Sequence, residues 1–84
     1  MDVGAISPFE LEKLIAERDI LVAESKGDVV EVARIKLNIA EKELKVTERK
    51  FENGVAGSAE LEKAKLARDI AAVSLKQAEA GNLK

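Results

Sequence analysis

The stretch from Gly27 to Gly54, GDVVEVARIKLNIAEKELKVTERKFENG, decides the fold. Within it Val30, Ala33, Leu37, Ala40, Leu44, Thr47 and Phe51 recur at alternating steps of three and four, which lines one side of an α-helix and forms the seam of a left-handed helical pairing. Val32, Ile35, Ile39 and Val46 keep the same register two positions on. Two residues along a helix is about 200° around it, so this helix is apolar on two sides. Such a helix has two partners. The simplest assignment gives it the preceding and following segments of the same chain, with a second copy of the chain as the other source of either surface.

The punctuation around the stretch sets the remaining elements. Gly27 is suited to the left-handed conformation that closes a preceding helix, and Asp28 with Glu31 has the spacing of a capping box that opens the next. Asn53-Gly54 ends the middle helix. Upstream, Ser7 as N-cap, Pro8 at the first helical position and Glu10 two further on form another capping box. Downstream, Ser58 is expected to cap a helix that carries Glu60 and Glu62 in its first turn, where they favour the macrodipole, and runs to about Ala80 ahead of Gly81-Asn82. Connections of about two to six residues force antiparallel neighbours. The expectation is one all-α domain over 1–84, with three antiparallel amphipathic helices at about 8–25, 29–52 and 59–80 in a coiled-coil-like bundle.

Composition narrows the chemistry. The chain has no cysteine and no histidine, which removes disulfides, thiol nucleophiles, imidazole bases and the usual zinc sites together. Sixteen acidic and fourteen basic residues are interspersed for a net charge of -2, so there is no basic footprint for a phosphate backbone. Two phenylalanines without tyrosine or tryptophan leave little for a base to stack on, and no nucleic-acid partner is expected. No apolar run approaches the roughly 20 residues that span a bilayer, so this segment is not expected to insert into a membrane. Met1 to Gly4 has neither the basic nor the apolar part of a signal peptide, so the signal of an exported parent is expected to lie elsewhere. With 84 residues the chain buries only about 60–65% of its unfolded surface, and its stability margin is expected to be thin.

Shifting the chain against itself by fifty residues aligns Gly4 to Ser25 with Gly54 to Leu75 without gaps. Glu10-Leu11-Glu12-Lys13 falls on Glu60-Leu61-Glu62-Lys63, and Arg18-Asp19-Ile20 on Arg68-Asp69-Ile70. This reads as an internal repeat: one helix-turn-helix unit and half of another, the first helix lacking an upstream mate.

Gly4-Ala5-Ile6-Ser7-Pro8-Phe9-Glu10-Leu11 resembles the hairpin tip of periplasmic adaptor proteins, also called membrane-fusion proteins, of efflux and secretion systems. Phe51-x-x-Gly54-Val55 followed by Glu60-Leu61-x-x-Ala64 is similar to the recurring pattern of outer-membrane efflux channel proteins, whose long helices repeat internally. The resemblance implies periplasmic helical hairpins that pack side by side and tip to tip with other envelope proteins. The second tip departs from the adaptor pattern, with Gly57 at the place of the tip serine and Lys50 and Val46 where the adaptors carry an arginine and a leucine.

The residues expected to meet a partner are therefore those of the two tips: Ala5, Ile6 and Ser7 in the first, and Val55, Ala56 and Ser58 in the second. Arg18 follows Leu11 and Leu14 at seam spacing, and Arg68 follows Leu61 and Ala64, so each is read either as a register-setting residue or as a stem lying over a seam with its head in water. Carboxylates such as Glu41 and Glu43 sit two apart and point about 200° away from each other on a helix, so they share neither a proton nor an ion. Gly54-Val55-Ala56-Gly57-Ser58 lacks the lysine and the preceding strand of a phosphate loop. No catalytic residue, cofactor or metal is expected. The reading is a non-enzymatic structural or interaction module with a protein partner, self-association included. It is placed outside the cytoplasm by the resemblance, with an autonomous intracellular adaptor or regulatory bundle as the alternative.

Overall fold

The computed structural model describes residues 7–82, and Ala5 and Ile6 of the first expected tip lie outside them. It is all-helical, with α1 at Pro8–Ser25, α2 at Val29–Glu52 and α3 at Ser58–Asn82.

Local chemistry accounts for the helix ends. The Ser7 hydroxyl accepts the Glu10 N–H at 3.1 Å while the Glu10 carboxylate accepts the Ser7 N–H at 3.1 Å, and Pro8 fills the first turn where no N–H partner exists. At the far end of α1, Gly27 N–H donates to the Glu24 carbonyl and Asp28 N–H to the Ala23 carbonyl, both at 3.0 Å, with Gly27 at φ 73°. The end of α2 repeats this closure: Gly54 N–H donates to Phe51, Val55 N–H to Lys50, and Gly54 sits at φ 75°. Both are Schellman caps, which need a left-handed residue that only glycine adopts without strain. Asn53 stays at φ -89°, so glycine alone carries the reversal. Gly54→Ala is expected to cost about 1–2 kcal/mol, read as a lowered melting midpoint, because the added Cβ meets no neighbouring atom within 4 Å and only the backbone conformation resists it.

Two caps differ from their sequence reading. Asp28 accepts the Glu31 N–H at 3.0 Å, but Glu31 does not return the bond: its carboxylate turns to Arg34 at 2.6 Å. An exposed carboxylate with a guanidinium one turn ahead has a charged alternative to the backbone amide. Ser58 is the first residue of α3 rather than its cap. Gly57 holds the cap position: its carbonyl accepts the Leu61 N–H, and its N–H donates to Glu60 at 3.4 Å. The helix also continues through Gly81 to Asn82.

Among the described residues α2 packs against both α1 and α3, while α1 and α3 do not touch. The bundle-like packing is flattened to 47 × 33 × 12 Å, about one helix thick. This follows from the two apolar sides of α2, which face away from each other. The core is correspondingly small: Ala16 and Ala23 from α1, Ala33 and Leu44 from α2, and Ala56 from the second turn. Thr47, half-buried in the first seam, satisfies its hydroxyl by donating to the Glu43 carbonyl at 2.9 Å. Glu12 and Lys42, 3.2 Å apart, form the one ion pair between helices among the described residues.

Candidate functional site

The inward residues of α1 are Phe9, Lys13, Ala16, Ile20 and Ala23, a 4-3 series that meets α2. Roughly half a turn around the same helix stand Leu11, Leu14, Ile15, Leu21 and Val22, all exposed. They form a continuous apolar edge on the side away from α2, flanked by Glu10, Glu17 and Glu24 at seven-residue intervals. On α3 the inward series is Leu61, Ala64, Arg68, Ala71, Leu75 and Ala78, all half-buried; Leu66 and Val73 are exposed on the other side, and Ile70, also exposed, stands between that side and α2. Both outer helices thus have two apolar sides, and only one side of each is covered.

The two segments aligned by the fifty-residue shift share their local bonds and differ in their surroundings. Arg18 bonds the Asp19 carboxylate at 3.2 Å and Arg68 bonds Asp69 at 2.8 Å. Arg18 belongs to the exposed edge, with its side chain 72% exposed, whereas Arg68 lies in the covered series at 39%. The Leu11, Leu14, Arg18 register therefore faces away from α2, while the equivalent Leu61, Ala64, Arg68 register faces it. Periodicity carries no information on this point, since α1 has two stripes of the same spacing.

At the tips, Ser7 is exposed but committed to capping α1. Val55 stands 72% exposed at the head of the second turn, and Ser58 is exposed on the first turn of α3. Ala56 corrects the expectation of an exposed tip residue: it is only 7% exposed, and its N–H donates to the Lys50 carbonyl at 3.1 Å. The Schellman closure folds the chain back over the end of α2 and turns this side chain inward.

Open grooves run along the layer. Val29, Val32, Ala33 and Lys36 of α2 line one with Ala67, Ile70, Ala71, Ser74 and Ala78 of α3. Glu43 and Thr47 line its continuation with Glu60, Lys63, Ala64 and again Ala67, which places both on one face of the layer. The small side chains of α3 leave this strip of α2 accessible. The sequence leaves both apolar sides of α2 to be covered, by neighbouring helices in the simplest assignment or by a second copy of the chain, and does not show how much of either side the small residues of α3 leave open.

Among the described residues no group of three or more Asp or Glu is arranged to hold a metal ion, and no helix is long and apolar enough to cross a membrane. Compared with models of known protein families, with curated proteins and with solved structures, the chain matches none.

Proposed function

We propose that the chain is a non-enzymatic structural and protein-interaction module, an antiparallel helical-hairpin segment with coiled-coil-like packing, of the kind used by extracytoplasmic adaptor or efflux-channel proteins of the bacterial envelope. The observation that carries this reading is the mismatch between core and surface: among the described residues, five are buried, four of them alanine, against eleven exposed large apolar side chains. Monomeric proteins keep contiguous exposed apolar patches small, and larger ones mark surfaces that another protein covers. The antiparallel order is supported by the pairing of Glu12, early in α1, with Lys42, late in α2, and by Ala78 lying beside Val29 while Ala64 lies beside Thr47. The envelope assignment rests on the two tip sequences and the internal repeat.

The test is solution mass by light scattering across a concentration series, with helicity recorded by circular dichroism on the same samples. Association, with helicity and melting midpoint rising with concentration, is the expected result, because any species that binds the folded state stabilises it. A cooperatively folded monomer whose melting is independent of concentration, and insensitive to polar substitution of Val55 and of both outer edges in every binding assay, sinks the reading.

A further inference from the structure

The groove face of α2 carries a stripe with its own internal symmetry. Val32, Lys36, Ile39, Glu43 and Val46 follow one another at steps of four and three, so they stand in line along one side of the helix. Val32, Ile39 and Val46 are half-buried, Lys36 and Glu43 are exposed, and neither charge enters an ion pair among the described residues. Alongside, α3 lines the groove with Ala67, Ala71, Ser74 and Ala78, too short to cover the stripe, and with Ile70 at its rim, 58% exposed.

We propose that this stripe is the dimer interface of the chain, with the α2 of a second copy lying antiparallel along it about a two-fold axis at Ile39. The inference rests on the module reading above and names its partner. The order apolar, Lys, Ile, Glu, apolar is a charge-reversing palindrome. Antiparallel pairing about Ile39 sets each of Val32 and Val46 against the other and brings Lys36 and the second copy's Glu43, and Glu43 and its Lys36, to within one residue's rise of the same level, about 1.5 Å, which their long side chains span. A two-fold interface must be self-complementary in this sense, and it makes every ion pair twice. Parallel pairing would set Lys36 on Lys36 and Glu43 on Glu43, so the charges choose the orientation. Lys63 and Glu60 border the same groove on α3 and remain constant in the variants below.

Charge reversal tests this directly. Lys36→Glu and Glu43→Lys are each expected to raise the dimer dissociation constant by about tenfold or more in low salt, since each converts two attractive pairs into two repulsive ones. Mixing the two single variants should restore association as a heterodimer, and the double variant should restore the homodimer; at dilutions where the wild-type chain is monomeric all variants should match its helicity, because both sites are exposed. A wild-type chain that stays monomeric at every concentration overturns the dimer and leaves the outer edges available to other proteins. Association that ignores the single reversals, or that does not recover on mixing, overturns the interface while the module reading stands.

Discussion

Leu44→Ala is expected to cost about 2–4 kcal/mol and to leave much of the chain unfolded at room temperature under dilute conditions. Among the described residues Leu44 is the one large side chain in the core, 7% exposed and held in the first seam of α2, while every other buried residue is an alanine. In a thick core, neighbours relax partly into the vacated volume. Here the layer is one helix deep, so the lost contacts are replaced by water rather than by carbon. Small domains have a few kcal/mol in hand, and an 84-residue chain with this little buried surface has less than most. Urea titration followed by circular dichroism reads the effect as a fall in the midpoint. An unchanged midpoint would mean that stability resides elsewhere, in the local caps or in an assembled form.

The opposite result is expected at the outer edge of α1. Changing Leu11, Leu14 and Leu21 together to glutamine should alter the stability of the dilute chain by no more than about 0.5 kcal/mol per site, since these side chains are already in water. The same change should abolish the binding of apolar dyes to this edge and stop assembly beyond the dimer at high concentration, because Leu11, Leu14 and Leu21 stand exposed along one line of α1 at seam spacing. Dye fluorescence and light scattering measure both. A steep loss of stability would show that the edge is packed within the chain, and unaltered assembly would move the contact to the Leu66, Ile70 and Val73 edge or to Val55.

Much of the architecture was legible in the residues. Ser7, Pro8 and Glu10 mark a helix start because their bonds close within four residues, and Gly27 and Gly54 mark helix ends because the reversal needs a left-handed residue at one position. Ser58 and Glu31 were misread for a related reason: a capping pattern lists the groups able to bond, and neighbours such as Arg34 and Gly57 decide which bonds form.

What the sequence determined by itself was the number of helices, their approximate ends and the two-sided character of α2, since each depends on interactions within a turn or two of the chain. The tertiary structure alone decided which stripe of each outer helix is covered. On α1 both candidate stripes have helical seam spacing, and the more apolar one lies outside. The tight turn through Gly27 ties Asp28 to the Ala23 carbonyl and so brings the Ala23 side of α1 under α2. Ala16 and Ala23 then let the two helices approach closely. The longer turn through Gly54 imposes no such register on α3, which meets α2 through Leu61, Ala64 and Arg68 instead. The segments that align under the fifty-residue shift therefore face opposite ways, an outcome set by loop length and packing that no periodicity within either helix records.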